Sequence, residues 1–188
     1  MKKLTSHEIR KKFIDFQIKK WHVEIPAVSL LPDNDPSLLF VNSGMFPLVP
    51  YLLGQEHPSG QRIANYQRCF RSDDIDEVGD HRHTTFFEML WNWSLADYFK
   101  KEQLENWYEF LVEELGLDPN KLYQTVYAWD ERAPQDDETI EILKNIYQKY
   151  GVTYGVWTST TWKWDFWCWE EVDFVKDRIF PYRDKNWW

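Results

Sequence analysis

The chain has 188 residues and a formal charge of −9. It is long enough to bury one substantial core, and its acidic balance argues against a free-standing nucleic-acid binder, which would carry a basic face. Two cysteines, Cys69 and Cys168, form neither a disulfide framework nor a metal-site spacing and suit a reducing cytoplasm, and there is no signal-peptide apolar core or membrane-length apolar run.

The first element is a helix. Thr5-x-x-Glu8 has the form of a capping box, and Ile9, Phe13, Ile14 and Phe16 follow at helical spacing. The helix should end near Lys20. Pro26 and Pro32 punctuate an extended segment after it, and residues 38–43 (LLFVNS) read as a strand. Three prolines and two glycines between 46 and 60 make that stretch loop or short helix.

Residues 62–71 mix β-branched, aromatic and polar types without a helical stripe, and residues 85–93 (TTFFEMLWN) are rich in strand formers. Two antiparallel strands joined by a long polar loop are expected. Alternation places Gln67, Cys69 and Arg71 on one face of the first strand and Phe87, Met89 and Trp91 on one face of the second. Arg71 and Phe87 could line a common pocket, with His81, Arg82 and His83 in the loop above it. A guanidinium suits a phosphate and a ring suits a base. An ordinary hairpin with a solvated loop fits the same residue types.

Ala96 to Leu115 reads as a long helix with Phe99, Leu104, Trp107, Tyr108, Leu111 and Leu115 on its apolar face and Gly116 just beyond. Leu122–Ala128 reads as a strand. Asp136–Lys149 reads as a second amphipathic helix with Ile140, Leu143 and Ile146 or Tyr147 on its inner face. Residues 150–175 carry no clear pattern.

The central stretch resembles motif 2 of the class II aminoacyl-tRNA synthetases. Phe70-Arg71-Ser72-Asp73 supplies the first half of that motif, and Arg82-His83-Thr84-Thr85-Phe86-Phe87 the second. The run HTTFFEML, followed by Asn92, Ser94, Leu95 and DYFK, is similar to the alanine-specific branch of the family. Ser29 to Met45 resembles the family's motif 1 region, which contributes to a dimer interface, so a homodimer contact is implied. Residues 176–188 resemble the segment before the family's Gly-rich amino-acid loop.

The resemblance implies an α+β fold: an antiparallel β-sheet flanked by helices, incomplete at the C-terminus because the third class II motif is not reached. It treats residues 1–188 as one partial catalytic domain, with about 150–175 as an insertion. It implies a ligase that joins alanine to ATP as alanyl-adenylate and passes it to tRNA(Ala), inactive as this piece alone. A non-catalytic synthetase-like module that binds a nucleotide or a partner is the competing reading. The implied ATP residues are Arg71, which would also be the catalytic residue, with Asp73, Arg82, His83 and Phe87. The implied amino-acid pocket comprises Asn42, Met45, Met89, Trp91 and Trp188; core packing is the plainer role for Met89. ATP would arrive with Mg2+. His81-x-His83 lacks further ligands at zinc spacing, so no zinc is expected.

Tryptophan is over-represented, at 12 of 188 residues. Trp21 and Trp91 stand where the resembled family carries glycine. Trp129 and the cluster Trp157, Trp162, Trp164, Trp167 and Trp169 also occupy glycine-like surroundings. Trp93, Trp107, Trp187 and Trp188 stand where aromatics are usual. UGA codons read as glycine by the organism but written as tryptophan would account for both sets.

Overall fold

The computed structural model describes residues 3–32, 39–72, 75–80, 83–127, 134–156 and 177–182. They fall into two compact units, Lys2–Phe99 and Lys100–Trp188.

The first unit begins with α1, Ser6–Lys19. Its capping box forms as expected: the Thr5 hydroxyl accepts from the Glu8 amide, and the Glu8 carboxylate accepts from the Thr5 amide. Phe13, Ile14 and Phe16 are buried. The helix ends in a Schellman turn, with the Trp21 amide donating to Ile18 and the His22 amide to Gln17, both at 3.0 Å. That geometry requires a left-handed residue at position 21, where φ is 67°.

The strands β1 (Val23–Glu24), β2 (Arg62–Phe70) and β3 (Phe86–Ser94) form one sheet in that order. The β2–β3 pair is antiparallel, with Cys69 opposite Phe87, Gln67 opposite Met89 and Asn65 opposite Trp91. β1 runs parallel to β2, so the sheet is mixed rather than wholly antiparallel. A long connection between β1 and β2 permits this, since parallel neighbours cannot be joined by a tight turn. α1 lies on the face of the sheet that carries Tyr66 and Glu88. The Arg10 guanidinium reaches both Glu88 carboxylate oxygens at 2.7 Å and stands over the Tyr66 ring. The segment from Val41 to the short helix α2 (Val49–Leu52) lies on the opposite face, where Leu48, Ile63 and Trp93 form a cluster.

Two expectations for this unit fail for identifiable reasons. Within the expected strand 38–43, residues 39–43 make no ladder, and residue 38 is outside the described residues. Val41 donates once to Leu30 and accepts once from Phe70. Its neighbours bond elsewhere: Asn42 offers its carbonyl to Arg71, and the Ser43 hydroxyl takes the Met45 amide. The expected helix 96–115 begins at Lys100 instead. Ala96 is left-handed at φ 59°, and the Ser94 hydroxyl accepts from the amides of Asp97 and Tyr98, holding a turn where the helix would have started. Phe99 is accordingly 74% exposed rather than on the inner face.

The second unit contains α3 (Lys100–Glu109), which widens into a π turn over Phe110–Glu114 and ends before Gly116 at φ 69°. β4 (Gln124–Tyr127), β5 (Gly155–Val156) and β6 (Asp177–Tyr182) form a parallel sheet in the order β4-β6-β5. α4 (Asp137–Lys149) makes the crossover between β4 and β5. Its face of Ile140, Leu143, Ile146 and Tyr147 packs with Tyr108, Val126 and Val152. Asp136 caps α4 by accepting from Thr139, and it pairs with Lys100 at 2.7 Å. Burial pushes the Asp136 carboxyl up, but the hydrogen bonds from Lys100 and Thr139 and the Lys100 charge outweigh it and hold the pKa below the usual value. The same pair, with Glu138, raises the Lys100 pKa. No helix among the described residues is long and apolar enough to cross a membrane.

Candidate active site

The site is built on the face of the β2–β3 pair turned away from α1. Alternation puts Ile63, Asn65, Gln67 and Cys69 of β2 on this face, directly across from Trp93, Trp91, Met89 and Phe87. The pairing continues one residue past β2, because the Arg71 amide donates to the Thr85 carbonyl at 2.9 Å. Arg71 is thereby held next to Phe87, with its guanidinium carbon 5.3 Å from the ring centroid. Its Nε donates to the Asn42 carbonyl at 3.0 Å. A positioned, solvent-facing guanidinium over a ring can receive an anionic group and a flat base together.

Asn42 therefore serves Arg71 through its backbone carbonyl. Met89 also faces the site, and its Sδ accepts from the Gly44 amide at 3.4 Å. Met45 is 46% exposed in the turn that follows Gly44. Trp91 lies against Gly44: a Cβ on Gly44 would stand 2.2 Å from the Trp91 Nε1. The indole stacks on Trp93 with centroids 4.6 Å apart, and both indole N–H groups are buried without a partner among the described residues. His83 sits in the β2–β3 loop with its ring nitrogens on Asp80 at 2.7 Å and Glu77 at 3.0 Å. Asp73, Arg82 and Trp188 lie outside the described residues, as do Cys168, Trp129 and the 157–169 tryptophans.

Two polar residues on this face had no assigned role in the sequence reading. Gln67 is fully buried and grips the backbone of one residue on both sides: its Oε1 accepts from the Val28 amide at 2.9 Å and its Nε2 donates to the Val28 carbonyl at 3.2 Å. It fixes the extended segment after β1 over the sheet. Asn65 is 2% exposed, and its Oδ1 has no partner among the described residues. Parity along β2 was the available signal for both. Cys69 is buried on the same face; burial raises its thiol pKa, partly countered by the Arg71 charge, so it is a packing group rather than a nucleophile.

The family model described as tRNA synthetases class II (A) matches residues 8–188. The chain is similar to an alanine–tRNA ligase of Treponema denticola, at 46% identity over 191 residues, covering 100% of this chain and 27% of that protein. It is similar to the corresponding ligase of Borreliella afzelii at 42% identity, over 98% of this chain and 27% of the relative. The ligase of Rubrobacter xylanophilus is 43% identical over 166 residues, 86% of this chain and 18% of the relative. The chain thus spans about a quarter of the length of the first two of these curated relatives.

Proposed function

The chain belongs to the class II tRNA synthetase family, and from that premise we propose that it forms part of the catalytic domain of an alanine–tRNA ligase. The whole protein activates alanine with ATP, releases pyrophosphate and transfers the alanyl group to tRNA(Ala). The observation that carries this reading is the placement of Arg71 over Phe87 on one sheet face, in a chain 46% identical to an alanine–tRNA ligase.

In this mechanism the protein positions the reactants and stabilises charge rather than supplying a covalent group. Arg71 holds the α-phosphate and the reacting carboxylate, and Phe87 stacks on the adenine. Arg82 and His83 meet the outer phosphates from the loop, with Asp73 at the adenine edge. Met89, Asn42, Met45, position 91 and Trp188 are the positions assigned to the amino acid. The donor set described around Arg71 is cationic and aromatic, which fits a nucleotide. Mg2+ accompanies the ATP phosphates and neutralises their charge.

The test is ATP–pyrophosphate exchange by the intact gene product, scanned over the amino acids. Exchange that depends on alanine is expected. Exchange driven by another amino acid, or none with any, overturns the reading. Nucleotide binding without exchange would favour the non-catalytic module instead.

A further inference from the structure

We propose that the protein as its own cell makes it carries glycine, not tryptophan, at positions 21 and 91, and that this opens a slot beside Asn65 on the candidate site. Two unrelated anomalies point the same way.

Trp21 occupies the left-handed position of the Schellman turn, at φ 67°. Glycine adopts that conformation freely, and for a bulky residue it is an outlier. The indole gains nothing in return, since the residue is 83% exposed. Trp91 shows the opposite fault. It is packed against Gly44, and it buries an N–H with no acceptor among the described residues. Asn65, directly across the strand pair, buries an amide oxygen that likewise has no partner among them. A buried donor and a buried acceptor left unmade on facing positions are a costly arrangement that native structures avoid. Without the indole, Asn65 Oδ1 faces a space bounded by Gly44 and Met89, on the same sheet face as Phe87. An acceptor there suits a donor group of a small substrate.

Composition agrees: the chain has 7 glycines and 12 tryptophans, where glycine is usually about 7% of residues. By contrast Trp93 is a buried member of a hydrophobic cluster, and Trp107 stacks on Phe110. The Trp93 N–H is likewise buried without a partner among the described residues, but its side chain belongs to the core, and neither Trp93 nor Trp107 is left-handed. UGA is a stop in the standard code and tryptophan in some variant codes, so a gene whose cell decodes UGA as glycine is written with tryptophan at those codons when it is translated with such a variant code.

The codons and the peptides decide the question without any appeal to activity. UGA at 21 and 91 with UGG at 93 and 107 is expected, and mass spectra of peptides from the source cells should show glycine at 21 and 91. One codon shared by all four positions overturns the proposal, and so does tryptophan in those peptides whatever the codons say. The slot itself rests on the ligase reading and has its own arm. In the intact gene product made with tryptophan at all four positions, Trp91→Gly should raise alanine-dependent ATP–pyrophosphate exchange by at least roughly tenfold. Equal exchange by the two forms removes the slot but not the glycine. If neither form exchanges with alanine while the codons divide as expected, the ligase reading fails and the glycine assignment stands.

Discussion

The two faces of the β2–β3 pair differ in how completely their polar groups are matched. On the α1 face, Arg10 bonds Glu88 through two nitrogens and lies on Tyr66. Asn92 and His22 meet on the Tyr98 hydroxyl at 2.8 and 2.7 Å. On the other face Arg71 is exposed above Phe87, and among the described residues Asn65, Trp91 and Trp93 each bury a polar atom without a partner, against one such atom, Gln17 Oε1, in α1. The matched face holds the helix on the sheet. The unmatched face carries groups whose partners are not part of the described chain. A buried polar group left without a partner costs about 1–3 kcal/mol, so such groups mark where a ligand belongs or where the side chain is foreign to the site.

The sharpest way to break this contrast is at Arg71. Arg71→Ala in the intact protein should lower alanine-dependent ATP–pyrophosphate exchange by at least roughly a hundredfold, the scale of losing a preorganised transition-state donor. Arg71→Lys should fail too, because a point charge does not replace the planar fork. Neither change should move the denaturation midpoint much; a large drop would make Arg71 structural.

The reciprocal change is Arg10→Ala on the matched face. Among the described residues it leaves the largely buried Glu88 carboxylate with Arg68 as its one cationic neighbour, at 4.0 Å. A loss of about 1–3 kcal/mol in stability is expected, read in urea, with exchange per folded molecule unchanged. Exchange that falls as far as stability would erase the distinction between the faces.

Phe87→Leu keeps an apolar side chain but removes the ring beneath Arg71. It should raise the KM for ATP by roughly tenfold, the value of about 1–2 kcal/mol for lost ring contacts, with a smaller change in kcat. An unaltered KM would take adenine away from this ring.

Trp21→Gly lies off the sheet and tests backbone strain alone. Relief of a left-handed non-glycine residue should stabilise by about 1–2 kcal/mol, which raises Tm by a few degrees in a protein of this size. A lower Tm would mean that the exposed indole contributes more than its backbone costs.

The smallest effect belongs to the second unit. Because the Asp136 pKa is lowered in the folded state, its contribution is present above the ordinary aspartate value and is lost as pH falls through the folded one. The raised Lys100 pKa acts in the other direction: its contribution is present below the ordinary lysine value and fades as pH rises through the folded one. Asp136→Asn keeps a good N-cap while removing the charge. Its urea midpoint should therefore decline less between pH 6 and pH 2 than that of the parent chain. Parallel curves would show that the pair adds nothing to stability.

Much of this protein was determined by local sequence. The capping box at Thr5, the end of α1 near Lys20, the long β2–β3 pair and the α4 stripe each depend on residues within a few positions, where side-chain period and cap chemistry act directly. Strand parity alone also placed Arg71 on the side of Phe87, Met89 and Trp91, and the likeness of motif 2 gave those residues a role. Tertiary structure decided what depends on distant partners. Val41 became a single-bond bridge between Leu30 and Phe70 rather than a strand. The helix after β3 was delayed to Lys100 because Ser94 and a left-handed Ala96 hold a turn first. The sheets gained parallel pairings that no hairpin signal announces. Asn65 and Gln67 lie two residues apart on one face and look alike in sequence. Gln67 is satisfied because the fold brings the Val28 backbone within its reach, and the Asn65 Oδ1 is not, because the indole packed across from it gives its N–H neither to that oxygen nor to any other acceptor among the described residues.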